Sequence, residues 1–338
     1  MLRPVTYGDV MSVIYVEEAL LAHPRVERII RTRGEKARVI PVAHYREVFN
    51  PKGQNFRRQK NHPALILAEK TGRRVLPTPS GFGIGGVDNF YFSTLLNCLY
   101  DCRYCFLQGM YQSAHYVLFV NYEDFQHEVS TLAAQHPGAY FFTGYDSDSL
   151  AYEPVSQFVT EFYSFFASHP AVFFELRTKS TQIEALLSQE PLDNVIVAFS
   201  FTPALISQQL EHKVPSFERR INVMRTLAQR GWKIGLRLDP LIYASDYKIL
   251  YQELVHTIFK AITPLDVHSV SLGPLRFPQG MFKKLVHLYP EERLFAQPLV
   301  RDNKQYTYPK AIETQMRDTV LELLRPWVDS ALIFRCYS

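Results

Sequence analysis

From residue 90 onward, short apolar or β-branched runs alternate with amphipathic segments of helical period, and this alternation leaves few architectures open. Strands are expected at 90–96, 139–143, 171–177, 194–201, 232–239 and 267–273, with helices near 122–136, 154–168, 180–188, 216–230 and 246–262. Such alternation is the pattern of a parallel sheet covered by helices. The run Asn194–Phe199 is apolar without a two-residue period, as a strand buried on both faces requires. In the helix over 216–230, Ile221, Met224 and Leu227 recur along one side, leaving Arg219, Arg220, Arg225 and Gln229 free to face outwards. Six βα units predict an α/β fold, a partial (β/α)6 TIM-like barrel.

Sites in such barrels gather where the strands end. The strand ends here are unusually polar: Gly144-Tyr145-Asp146-Ser147-Asp148, Arg177-Thr178-Lys179, Ser200, and Arg237 with Asp239. Ordinary loop and capping chemistry is the plain alternative for each, but their convergence from several strands favours a site. The loop after the first strand carries three of the four cysteines, Cys98, Cys102 and Cys105, spaced C-x3-C-x2-C. Zinc sites close with four ligands, usually as two pairs, and the remaining cysteine, Cys336, lies at the far end of the chain. Iron–sulfur clusters are held by thiolates from short spacings of this kind. Three thiolates on a [4Fe-4S] cluster leave one iron open to a small molecule. That reading suits the spacing better than three core cysteines crowded beside Asp101 and Arg103.

Around the barrel the chain divides into an N-terminal α/β extension (1–88), the barrel (89–275) and a C-terminal hairpin and helix (276–338). Val13–Val16 is an apolar run, followed by an expected helix from Glu17 to about Arg33, a turn at Gly34 and an extended piece at 37–40. Between residues 45 and 74 eight Arg or Lys face only Glu47 and Glu69, with Phe49 and Phe56 interleaved; Arg57, Arg58 and Lys60 are the expected phosphate contacts. A solvated basic face is the alternative. Net charge is only +4, which does not by itself argue for nucleic acid. Gly81-x-Gly83-x-x-Gly86 has the form of a dinucleotide fingerprint, but a Pro-rich turn precedes it and a strand follows, so it reads as a linker. Residues 297–310 read as a hairpin around Asp302-Asn303. There Arg301, Lys304 and Tyr306 are expected to meet nucleic acid, a hairpin that simply covers the barrel edge being the alternative. A helix at 311–325 and a strand at 331–334 follow. No apolar run approaches the roughly 18 residues of a membrane span, and the first ten residues lack a secretory pattern. Few cysteines, mostly in one motif, suit a reducing cytoplasm.

With Tyr104 before the third cysteine, the triplet resembles the signature of radical S-adenosylmethionine enzymes. In that superfamily the open iron holds S-adenosylmethionine, whose C–S bond is broken to give a 5′-deoxyadenosyl radical, and the aromatic position contacts the adenine. Beyond the superfamily, the chain resembles the spore photoproduct lyase family. The likeness is carried by the Tyr15–Leu20 region, the basic stretch, Cys105-Phe106-Leu107-Gln108, Val120-Asn121 and the late hairpin. It implies a radical lyase that splits a thymine-dimer lesion in DNA, fed by an electron donor such as flavodoxin or ferredoxin. It also implies that Tyr104, Ser147, Lys179 and Ser200 hold S-adenosylmethionine, with Asp239 added at the end of the fifth strand. The family's donor cysteine falls on Tyr145 and its relay tyrosine on Phe106. The hydrogen donor is therefore expected to be Tyr145 or Cys336. Other readings are a radical enzyme acting on a different base or a peptide, and a non-catalytic DNA-binding protein with a structural cluster.

Overall fold

The computed structural model describes residues 12–33, 37–85 and 88–336. The turn at Gly34, Gly86 of the glycine pattern and the first ten residues lie outside them. Seven parallel strands form the main sheet in chain order: β1 (Asn89–Phe92), β2 (Tyr140–Phe142), β3 (Phe173–Thr178), β4 (Val195–Ser200), β5 (Lys233–Leu241), β6 (Val267–Pro274) and β7 (Ile333–Arg335). Val75–Pro77 adds an antiparallel edge to β1. The sheet curls into a partial barrel, with α1 (Tyr122–Gln135), α2 (Phe158–Ala167), α3 (Phe217–Gln229) and α4 (Tyr247–Ala261) in its crossovers and α5 (Lys310–Leu324) before β7. A partial TIM-like barrel is thus what the alternation foretold. The strand expected at 331–334 is its last wall.

Several elements differ from expectation for local reasons. The strand expected over 90–96 is two: β1 stops at Phe92, and Leu95–Leu96 pairs antiparallel with Tyr116–Phe119 in another sheet. Both halves are apolar, so periodicity does not separate them. That other sheet runs Arg38–Val42, Val13–Glu17, Leu65–Ala68, Tyr116–Phe119 and Leu95–Leu96, and takes strands from both sides of residue 88. Its N-terminal helix begins only at Pro24, a residue suited to a first helical position. The helix over 154–168 breaks at Gln157, which adopts a left-handed φ of 52°. The one expected over 180–188 shrinks to Glu184–Leu187. Helices at Ala204–Leu210 and Gln279–Leu288 were not foreseen.

Inside the barrel, residues two apart on a strand share a face, and that face carries charge rather than a purely aliphatic core. Glu175 on β3 takes Arg237 on β5 through two hydrogen bonds, 2.7 and 3.1 Å long, and both side chains are fully buried. Arg237 also donates to the carbonyl of Ser269 (3.1 Å) and to its hydroxyl (2.9 Å), and Arg177 reaches Glu175 at 2.9 Å. Burial by itself would push the Glu175 carboxyl up; the two guanidiniums outweigh it and bring the group down to about 2. Two glycines make room for this layer. A Cβ on Gly235 would lie 2.8 Å from the Arg237 guanidinium, and one on Gly273 only 2.5 Å from the Asp239 carboxylate.

Candidate active site

The cysteine loop sits at the end of the barrel where the strands finish, clamped from three directions. From the N-terminal side, Asn55 caps the short helix Phe56–Asn61. Lys60 of that helix is buried, and its ammonium donates to the carbonyls of Cys98 (2.8 Å) and Tyr100 (2.9 Å). From the C-terminal side, the Tyr289 hydroxyl reaches Gln108 (3.2 Å), and its ring lies 4.0 Å from the Arg103 guanidinium, which pairs with Asp101 at 2.7 Å. From the crossover after β4, Glu211–His212 forms a two-residue antiparallel bridge with Asp101–Cys102, and the Arg103 amide donates to Leu210 (2.9 Å).

Of the three cysteines of the loop, Cys102 is buried and Cys98 and Cys105 are half-buried. Burial pushes the Cys98 thiol up to about 12, with Asp148 adding to the rise and Lys60 opposing it. Cys102 and Cys105 move the same way by burial, with Lys179 opposing in each. Thiols in this state keep their protons until a metal displaces them, and ligation would release those protons. Among the described residues, no group of three or more His, Cys, Asp or Glu converges as a site for a metal ion.

Two buried carboxylates set the residues expected to hold S-adenosylmethionine. Asp148 accepts from the amides of Leu150 (3.0 Å), Ala151 (2.9 Å) and Lys179 (2.6 Å), and from the Thr178 hydroxyl (2.7 Å). It therefore staples the loop after β2, including Ser147, to the end of β3, including Lys179. Glu211 accepts from the Tyr104 hydroxyl, while the Lys179 ammonium lies 5.5 Å from the centre of the Tyr104 ring. Ser200 is buried at the end of β4. Lys179 thus lies against Tyr104, Ser147 precedes the Asp148 staple, and the Ser200 carbonyl takes a bond from Arg220 (3.1 Å). Asp148→Ala would leave three amides and a hydroxyl without their acceptor, and is expected to cost about 3 kcal/mol in urea denaturation, with Asp148→Asn milder. An unchanged midpoint for Asp148→Ala would show that the loop is held some other way.

Beneath the loop, the uppermost layer of the barrel gathers Tyr145, Arg177, Asp239, Arg276 and Cys336. Cys336 follows β7, its amide bonded to Leu272 (2.7 Å) and its carbonyl to Arg276 (2.6 Å). Its thiol is pushed up by burial and by Asp239, and drawn back by Arg177, Arg276 and Arg237. Tyr145 stacks on Tyr91 at 4.8 Å, donates its hydroxyl to Phe82 (2.8 Å), and is close enough to Cys336 to feel its charge. Arg276 stands 3.7 Å from Asp239; among the described residues one of its buried nitrogens and the Ser271 hydroxyl have no hydrogen-bond partner.

A family model described as spore photoproduct lyase matches residues 90–333, which spans the barrel and its cysteine loop. The chain belongs to the spore photoproduct lyase family. A spore photoproduct lyase of Clostridium acetobutylicum is 22% identical over 61% of this chain; the chain spans about three fifths of that relative's length, 62%. One from a Geobacillus species is 20% identical over 70% of this chain and 73% of its own. Among solved structures, a spore photoproduct lyase variant superposes with a TM-score of 0.83 at 16% identity, covering 98% of this chain and 99% of that one. A variant with bound AdoMet and dinucleoside spore photoproduct gives 0.82, also at 16%. At that identity the superposition speaks for the fold alone.

Within this family fold the basic residues separate by environment. Arg58, Arg301 and Lys304 are exposed. Arg57 is also exposed but pairs with Glu291 at 3.1 Å and lies over Tyr289. Tyr306 stacks on Phe282 at 4.4 Å and is half-buried. Lys60 differs from the expectation: it lies inside, with its ammonium engaged by the cysteine loop. Arg220, read as outward-facing, is fully buried against Glu211. Sequence reasoning missed Glu211, Asp148 as a staple, and Arg276. A lone acid or arginine in a crossover gives no periodic signal, so only the fold reveals its partners. No helix among the described residues is long and apolar enough to cross a membrane.

Proposed function

We propose that the protein is a radical S-adenosylmethionine enzyme that splits a thymine-derived lesion in DNA. The observation that carries this is a three-cysteine loop at a barrel end where Arg276 and Ser271 each keep a buried polar atom with no hydrogen-bond partner among the described residues, in a chain of the spore photoproduct lyase family. Cys98, Cys102 and Cys105 would hold a [4Fe-4S] cluster; attachment at three separate irons asks for sulfurs spread around it rather than converging on one point. Tyr104, Ser147, Lys179 and Ser200 would hold S-adenosylmethionine on the remaining iron. When bound, these groups supply a carbon radical able to abstract hydrogen, with the electron coming from a donor such as flavodoxin or ferredoxin.

The chain's own residues then have two tasks. The first is recognition. A flipped base is read by hydrogen bonds to its Watson–Crick edge, and a thymine edge presents acceptor, donor, acceptor. Arg177 and Arg276 supply donors and Asp239 an acceptor, while Arg58, Arg301, Lys304 and Tyr306 would follow the DNA backbone and bases outside. The second task is returning hydrogen to the split product. The Cys336 S–H bond would break as a C–H bond forms on the product radical, and one electron from that same flavodoxin or ferredoxin donor with a proton from solvent would restore the thiol. Tyr145 lies beside it and is the other candidate donor.

Anaerobic, cluster-loaded and reduced protein is expected to restore thymine in irradiated DNA while consuming S-adenosylmethionine. Cys336→Ala should then cut thymine recovery at least tenfold while leaving S-adenosylmethionine cleavage within about twofold. Equal recovery in the variant would move the donor role to Tyr145. S-adenosylmethionine cleavage without thymine recovery in the unaltered protein would reject the lesion and favour another base or a peptide, a reading to which Tyr145 and Phe106 at the family's donor and relay positions already point.

A further inference from the structure

We propose that Glu211 and Arg220 are positioning residues, a buried ion pair that fixes the Tyr104 ring and the cysteine loop for S-adenosylmethionine. The inference rests on the cofactor reading above, but its argument comes from side-chain bonds in which none of the three thiols takes part. Arg220 and Glu211 are both fully buried and 2.7 Å apart. Three hydroxyls donate to the same carboxylate: Ser207 (2.6 Å), Thr202 (3.2 Å) and Tyr104. Arg220 is braced in turn by the Ser200 carbonyl (3.1 Å) and by the Ser207 hydroxyl (2.7 Å).

Such a pair is an expensive way to fill space. Desolvating two charges costs several kcal/mol per ion, and well-packed apolar side chains of similar volume do as well or better for stability. What an apolar replacement lacks is direction. An ionised carboxylate under a phenol fixes the hydroxyl, and a planar ring held at its far end has little freedom left. Burial pushes the Glu211 carboxyl up, but Arg220 and Lys179 outweigh it and keep the group ionised. The same residue bonds by its backbone opposite Cys102, and Leu210 beside it takes the Arg103 amide. One short segment therefore grips the loop twice, once by main chain and once through the aromatic side chain between the second and third cysteines. Because Lys179 faces that ring, a tilt of Tyr104 would also displace Lys179.

The test uses the reconstituted full chain and its Tyr104→Phe, Glu211→Gln and double variants, with Arg220→Lys as a charge-conserving control. Iron per chain, melting temperature, equilibrium S-adenosylmethionine binding and the paramagnetic resonance of the reduced cluster are read for each. Tyr104→Phe and Glu211→Gln are each expected to weaken S-adenosylmethionine binding about tenfold, the worth of one charged hydrogen bond. Both should alter the resonance change that S-adenosylmethionine induces. The double variant should be no weaker than the single ones, and Arg220→Lys should keep most of the affinity. Tyr104→Phe should keep its iron and melting temperature. Unchanged binding in both single variants, with the unaltered protein binding normally, overturns the positioning role alone. Additive losses do the same, since they separate Tyr104 from Glu211. If the unaltered, iron-loaded chain binds no S-adenosylmethionine, the cofactor reading falls and the positioning role with it.

Discussion

Replacing Cys102 with alanine is expected to abolish the iron–sulfur centre outright. Reconstituted under anaerobic conditions, the unaltered chain should take up about four irons and four sulfides with a broad visible absorption. The variant should retain close to none and cleave no S-adenosylmethionine. Cys102 is the strongest choice of the three because it is the most deeply buried and lies in the backbone bridge to Glu211. Alanine there removes one sulfur and little packing, so the fold should survive, as far-ultraviolet circular dichroism would verify. Cys336→Ala serves as the control and should keep its full iron content. A Cys102→Ala protein carrying a normal complement of iron would exclude the triplet as the ligand set.

Glu175→Gln is expected to produce the largest loss of stability of any single change in the barrel. The substitution keeps shape but leaves Arg237 charged at zero exposure, and removing one partner of a buried pair costs about 3–5 kcal/mol. Arg177 also loses the charge it meets at 2.9 Å. The pH dependence follows from the same bonds. In the folded protein the Glu175 carboxyl lies at about 2, below its ordinary 4.5. The unfolded chain therefore binds the proton first as acidity rises. The stability due to this group is fully present above pH 4.5 and drains away as pH falls towards 2, by about 3 kcal/mol in all. In Glu175→Gln that part of the acid sensitivity should vanish. Urea midpoints measured from pH 6 down to pH 3 would show it as a flatter profile. Parallel profiles for the two proteins would contradict the assignment.

How much of this was legible beforehand depends on whether a residue acts through period and spacing or through distant partners. The strands of the barrel declared themselves because Val195–Ser200 and its neighbours are unbroken apolar runs. The hairpin declared itself through Asp302-Asn303, with Asn303 adopting a left-handed φ of 52°. Cysteine spacing marked the loop for the same reason: short spacings are local. Boundaries failed where apolarity continued across a change of sheet, as between Phe92 and Leu95. Arg220 failed more instructively. It falls on the polar side of α3 by period, yet Glu211, nine residues earlier in the same crossover, folds back onto it, and no periodicity marks that return. Lys60 misled in the same way, a basic residue in a basic run whose charge is turned inwards onto carbonyls. Asp148 sat within a polar strand end already suspected, but its role as the joint between two strands needed their register.

The closing wall of the barrel, β7, comes very late in the chain. Roughly 230 residues separate Cys105 from Ile333, so at about 5–20 residues per second the sulfurs leave the ribosome on the order of 10–45 s before that wall exists. Throughout that interval the barrel lacks both β7 and the Cys336 that follows it. A cluster inserted during translation would therefore sit on a barrel that is still open.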